Sequence, residues 1–168
     1  MENKEQYFLD IYQQFKDKLF RLCLGFTGDT GEAENLFQEI WIKIWNHLDQ
    51  FRNESAIGTW IYRIATNTAL LYVKRQNRYK RKVQSMEHLP VEPGGDPSEA
   101  QHMEEAIARL YRAIASLKEL DRIIIELVLE GTRYRDIAEI TGLSVSNVGV
   151  RINRIKKELK NRLEKAGE

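Results

Sequence analysis

Cysteine is almost absent from this chain of 168 residues; Cys23 stands alone. One thiol excludes an internal disulfide and a thiolate metal cluster. Its place in the apolar register of a helix makes it a plain buried thiol. Nowhere is there an uninterrupted apolar run of about 18 residues, the length a membrane-crossing helix requires. The opening MENKEQ lacks the make-up of a signal peptide. The chain is therefore expected in the cytoplasm, without stable membrane insertion. Histidine is scarce as well: His47, His88 and His102 are scattered without the spacing of metal ligands. With no glycine-rich phosphate loop and no arguable Ser/His/Asp set, neither an enzyme nor a cofactor is expected.

What is present describes an ordinary globular chain, 42% hydrophobic and 30% charged, with room for one domain or two small ones. The net charge of +1 hides an uneven distribution. Lys74 to Lys82, KRQNRYKRK, carries six basic residues and no acidic one, and Arg151 to Lys165 carries seven basic against two acidic. Between them, Glu87 to Glu105 carries six acidic residues and no lysine or arginine. A charge run is usually only a solvated face, but two basic patches either side of an acidic span suggest two binding surfaces.

The strongest pattern is Ala33 to Leu48, AENLFQEIWIKIWNHL. Ala33, Leu36, Phe37, Ile40, Trp41, Ile44, Trp45 and Leu48 keep unbroken helical spacing. Each aromatic of that stripe would cost roughly 3–5 kcal/mol if truncated to alanine. Ile42 lies on the opposite side among Glu34, Asn35, Gln38, Glu39, Lys43 and Asn46; spacing alone makes it an incidental exposed residue. An earlier helix is predicted over Tyr7 to Phe26, and TGDTG from Thr27 to Gly31 breaks it and caps the next. After a polar loop from Phe51 to Gly58, Trp60, Ile61, Ile64, Ala65, Thr68, Leu71 and Tyr72 predict the buried side of a third helix. Arg63, Asn67 and Lys74 project from its other flank. Phe37, Trp41, Trp45 and Trp60 are expected to unite the three helices in one domain over residues 1–82.

From 83 to 102 the helical period is lost. Pro90, Pro93 and Pro97, all the prolines there are, crowd beside Gly94 and Gly95, the composition of a flexible linker. A second domain, 103–168, restarts at Met103. Ile107, Leu110, Tyr111, Ile114 and Leu117 predict one helix. Arg122 to Leu129 predicts another, since its IIIELVL run finds no partner strand. A short helix from Tyr134 to Ile140, a turn at Gly142 and Ser144 as N-cap of a long last helix make a helix-turn-helix. Val145, Val148, Ile152, Ile155 and Leu159 mark the core side of that last helix. Ser146, Val150, Asn153, Arg154 and Lys157 face outward, with Asn147 and Arg151 on the flank. Arginine pairs guanine and asparagine adenine, at about 1–3 kcal/mol of discrimination each, which favours DNA recognition over a solvated face. The fold expected is all-α: two small helical domains, a bundle and a helix-turn-helix, joined by a flexible linker.

GEAENLFQEIWIKIW and FRNESAIGTWIYRIATNTAL, followed by the basic tail, resemble region 2 of the extracytoplasmic-function (ECF) sigma factors. ASLKELDRIIIELVLEGTRYRDIAEITGLSVSNVGVRINRIKKEL is similar to their region 4, and the two stand in the family's order. The resemblance implies a promoter-specificity subunit of bacterial RNA polymerase. Such a subunit binds the core enzyme, on the β′ clamp helices and the β subunit, and recognises promoter DNA at −35 and −10. Core docking would fall to Asn35, Gln38, Glu39 and Ile42, which turns Ile42 into an apolar contact inside a polar rim. Phe51, Arg52, Asn53, Ser55 and Asn67 would receive a base flipped from the −10 strand, with Arg63, Lys74, Arg75 and Arg78 on its backbone. Trp60 stays with the core instead of acting as a melting wedge, because it shares the apolar side with Ile64 and Leu71. The −35 element would be read by Ser146, Asn147, Val150, Arg151, Asn153, Arg154 and Lys157. Two departures stand out: Asn35 where the family is usually more acidic, and Gly149 where a basic residue is common. The second shifts −35 reading toward Asn147, Arg151, Asn153 and Arg154. An anti-sigma factor that separates or covers the two domains is a further partner the resemblance implies. The competing reading, a stand-alone helix-turn-helix regulator, predicts tight operator binding by the protein alone.

Overall fold

The computed structural model describes residues 2–83 and 99–165. Residues 84–98, which hold Pro90, Pro93 and Pro97 and carry the expectation of a flexible linker, lie outside the described residues. Among the described residues every element is helical: α1 (Glu2–Thr27), α2 (Thr30–His47) followed by a 3-10 turn (Leu48–Gln50), and α3 (Ile57–Val83). α4 (Glu99–Ala115), α5 (Glu119–Leu129), α6 (Tyr134–Thr141) and α7 (Val145–Lys165) follow. α3 thus carries the basic tract on its last turns, and α4 opens ahead of Met103.

α1 ends at Gly28, whose φ of 69° places it in the left-handed region, where glycine avoids the clash a Cβ would make. Asp29 then caps α2, its side chain accepting from the Glu32 amide at 2.9 Å. Leu36, Ile40 and Ile44 of α2 are fully buried with Leu19, Leu22 and Phe26 of α1 and Ile61 and Ala65 of α3. Aromatic rings close one end of this bundle, with Tyr12 4.8 Å and Phe8 5.5 Å from Trp41 between centroids.

Two expectations for α3 are corrected. Its buried stripe runs through Ile61, Tyr62, Ala65, Thr66, Thr68, Ala69 and Tyr72, so Leu71 falls outside it and is 57% exposed. The buried hydroxyls explain how threonines occupy that stripe: Thr66 donates to the Tyr62 carbonyl at 2.8 Å and Thr68 to that of Ile64 at 2.7 Å. Trp60, on the same edge as Leu71, is half-buried and packs on Phe51 (5.3 Å between centroids), away from the Trp41 cluster.

The second group closes round Ile114, Ile124, Leu127, Ile137, Val148, Ile152, Ile155 and Leu159. Ser144 caps α7 as expected, its Oγ accepting from the Asn147 amide at 3.2 Å. Val145, expected on the core side of α7, is instead half-exposed, because the helix meets α5 and α6 only one turn later, at Val148. Ile107 is likewise exposed, lying on α4 well before its buried end at Ile114.

The two groups are docked on each other. α1 packs against α4 and α5, and α3 against α6. Arg21 forks onto the Glu130 carboxylate at 2.8 and 2.7 Å, and Arg122 donates to the main-chain carbonyl of Phe26 at 3.0 Å. Beside these contacts Glu126, 1% exposed, lies directly over Gly25, and its Oε1 has no hydrogen-bond partner among the described residues. Burial, reinforced by the charge of Glu130, pushes the Glu126 carboxyl well above the usual carboxylate range despite Arg122 nearby. Burial, with Glu126 adding to it, also pushes the Cys23 thiol up.

Candidate functional site

The outer face of α2 follows from its amphipathic pattern. Once Leu36, Ile40 and Ile44 turn inward, Asn35 and Gln38 are exposed, Glu39 is half-buried and Ile42 is 60% exposed. Glu39 is engaged by two cations, with Arg75 at 2.5 Å and Lys43 at 3.2 Å. Burial works against ionisation of Glu39, but these two hydrogen bonds outweigh it and hold the carboxyl below its ordinary value. Arg75 therefore reaches across to the α2 face, whereas Lys74 lies near Glu119 and Arg78 is exposed.

A cleft of about 430 Å³ opens where the loop 51–56 meets α3. Phe51, Arg52, Ser55 and Arg63 line it together with Gln50, Glu54, Trp60 and Glu139 of α6. Asn53 and Asn67 do not reach it. Asn53 adopts φ 56° at the loop's tip, a conformation asparagine tolerates, and Asn67 is exposed on α3 one turn past Arg63. Arg63 is drawn toward α6, its Nη2 donating to the Glu139 carbonyl at 3.3 Å and lying 3.6 Å from the carboxylate.

On α7, Ser146, Asn147, Val150, Asn153, Arg154 and Lys157 are all exposed, and Arg151 is half-buried. Asp121 of α5, 3% exposed, collects both arginines: Arg151 Nη1 at 2.6 Å and Arg154 Nη2 at 3.0 and 3.2 Å. Arg151 is thereby committed to holding α7 on α5, while Arg154 keeps the rest of its fork in solvent, its side chain 60% exposed. At Gly149 a Cβ would meet nothing nearer than Tyr134 Cε2 at 3.8 Å, so crowding does not account for the glycine.

Comparison with known proteins bears on both halves. Residues 11–79 match the sigma-70 region 2 family and residues 107–159 match sigma-70 region 4. The chain is 35% identical over 144 residues to the ECF RNA polymerase sigma-E factor of Escherichia coli (strain K12), covering 80% of this chain and 75% of that protein. It belongs to the ECF RNA polymerase sigma factors. A second relative, RNA polymerase sigma factor YlaC of Bacillus subtilis (strain 168), is 27% identical over 161 residues, covering 95% of this chain and 93% of that one. Among solved structures the fold is shared by the sigma factor RpoE of Bartonella quintana, solved in complex with the anti-sigma factor NepR (TM-score 0.63, 23% identity, 92% of this chain and 97% of that one). It is shared also by CnrH, solved in complex with the cytosolic domain of CnrY (TM-score 0.68, 20% identity, 95% of this chain and 89% of that one). As a sigma factor the protein binds bacterial core RNA polymerase and directs promoter recognition in transcription initiation; the stand-alone regulator is not favoured. No helix among the described residues is long and apolar enough to cross a membrane.

Three features of this sigma factor escaped the sequence. Asp121 reads as an acidic residue in the first turn of a helix, yet it is the anchor of Arg151 and Arg154. Trp60 lines the cleft of region 2, a place its spacing with Ile64 and Leu71 hides. Region 4 also carries an open apolar cleft of about 680 Å³ between α4, α5 and α7, with Leu110, Ile125, Val128, Leu129 and Leu163 on its walls. Periodicity marked some of these residues as apolar but could not say which would be left uncovered.

Proposed function

We propose that this sigma factor docks on the polymerase β′ clamp helices through the outer face of α2, takes a flipped −10 base at the loop 51–56 with Asn67, and reads the −35 element with α7. The observation that carries this reading is the exposure of Ile42 on the same outer face as Asn35 and Gln38, on a helix whose other side buries Leu36, Ile40 and Ile44 completely, an apolar contact with a polar surround. Arg63, Lys74 and Arg78 lie exposed along α3 to follow the strand backbone. Catalysis stays with the polymerase, the protein works in the cytoplasm, and an anti-sigma factor holds it inactive. The complexes of the Bartonella quintana factor with NepR and of CnrH with CnrY support that last partner. Multi-round transcription from a promoter library, with bacterial core polymerase and with or without this protein, tests the whole reading. Initiation that depends on the protein, from sites sharing spaced −35 and −10 elements, is the expected result; tight duplex binding by the protein alone with no such dependence would overturn it.

Two substitutions test the DNA contacts. Asn67→Ala should slow promoter opening roughly tenfold, about 1–2 kcal/mol for one lost base contact, while core affinity stays unchanged. A loss of core affinity instead would move Asn67 to the polymerase interface. Arg154→Ala should weaken promoter use by about 1–3 kcal/mol and relax preference at one −35 base pair if its free guanidinium edge meets guanine. Equal use of every −35 variant, before and after the substitution, would remove Arg154 from base reading.

A further inference from the structure

We propose that Val150 of this sigma factor reads the C5-methyl group of a thymine in the −35 element, brought within reach by the missing side chain at Gly149. The proposal rests on the assignment of α7 to the −35 element. Val150 is 67% exposed, more than any other large apolar side chain among the described residues. It stands on the second turn of α7, in the middle of the face proposed to meet DNA. Ser146 and Asn147 lie one turn before it and Asn153 and Arg154 one turn after, all of them exposed. The core side of the helix, Val148, Ile152, Ile155 and Leu159, points elsewhere. Val150 thus has hydrogen-bonding side chains on either side of it and can make no such bond itself. The major groove offers one apolar group to a side chain of this kind, the methyl of thymine.

Gly149 is a second, independent observation. Glycine inside a helix weakens it relative to alanine, and the β-branched valine that follows has a lowered helix preference of its own. Nothing in the fold compensates for the pair. A Cβ at position 149 would meet only Tyr134 Cε2, at an ordinary contact distance of 3.8 Å, so α7 has room for alanine. The φ of Gly149 is not positive either, so no turn requires a glycine. A glycine that neither packing nor backbone demands fits a place where another molecule comes close to the main chain. The gap it leaves is bordered by the ring of Tyr134, itself 43% exposed, so carbon lines it on the side of α6. Arg151, next along the chain, is committed to Asp121, which leaves Val150 to meet the base edge at this turn.

Uracil tests the methyl directly, because it pairs as thymine does and lacks only that group. The template is a promoter that the full chain uses with core polymerase, its −35 thymines replaced by uracil one at a time on either strand. One replacement should lower initiation by the wild-type protein roughly fourfold, the factor that burying one methyl group contributes. Val150→Ala should lose about as much on the thymine promoter and be indifferent to that same replacement. Gly149→Ala should melt no lower than wild type yet initiate less on the thymine promoter, since its Cβ fills the gap. A −35 element with no T·A pair, or one in which no uracil matters, overturns the proposal. A uracil penalty undiminished in Val150→Ala gives the methyl to another residue and overturns it equally. Full activity of Gly149→Ala overturns the close approach of the main chain. Initiation indifferent to the whole −35 element, scrambled base by base, would instead overturn the assignment of α7 on which the proposal rests.

Discussion

Ile42→Glu is expected to lower the affinity of this sigma factor for core polymerase by about thirtyfold or more while leaving the protein folded. The size follows from position: a central apolar contact of an interface contributes about 2 kcal/mol or more when lost, and an unpaired carboxylate buried in its place adds a desolvation penalty. Nothing on the inner side of α2 feels the change, since Leu36, Ile40 and Ile44 make the core and Ile42 points away from them. Titrating labelled core enzyme with wild-type and variant protein, beside thermal melts of both, separates binding from stability. Unchanged core affinity would remove the outer face of α2 from the polymerase interface. Reduced affinity with an unchanged melting curve is the expected pair of results.

Asp121→Ala is expected to loosen region 4 where α5 holds α7. A buried ion pair broken from one side costs about 3–5 kcal/mol; here the figure falls to roughly 2–3 kcal/mol, because the stranded arginines can turn to water. Arg154 is already 60% exposed and Arg151 27%. The loss is concentrated where α5 holds α7, so amide exchange of α5 and α7 should quicken sharply while α1 and α2 keep their protection. Binding to −35 DNA in the polymerase complex should fall in the same variant, since the helix proposed to read it is no longer fixed. Unchanged exchange across α7 would show that Val148, Ile152, Ile155 and Leu159 hold the helix without the carboxylate.

The division between what could be read from the chain and what could not follows the reach of each signal. Helical period is local, and it located the α2 stripe, the Asp29 and Gly28 break, the Ser144 cap and the turn at Gly142, each decided within a few residues. It failed at edges: Leu71 and Val145 keep the period but lie where the neighbouring helix has already turned away, so they are exposed. Trp60 sat on the same edge and proved to belong to the cleft. Charge was harder to read. Arg21, Arg63 and Lys74 look like solvated residues in sequence, and their partners Glu130, Glu139 and Glu119 lie beyond the linker in the other half of the chain. Glu126 did leave a trace, as the single charged residue inside the IIIELVL run. Its meaning depends on Gly25, a hundred residues away, and only tertiary structure brings the two together.

The lone thiol has a chemical consequence of its own. Thiolates, not thiols, react with peroxides and alkylating agents, and Cys23 is fully buried with its proton held more tightly than in free cysteine. Oxidants that reach this sigma factor meet no ready thiolate, only thioethers such as the exposed Met103. A redox signal read by a thiolate is therefore expected to be sensed by another molecule and to arrive here as a change of partner.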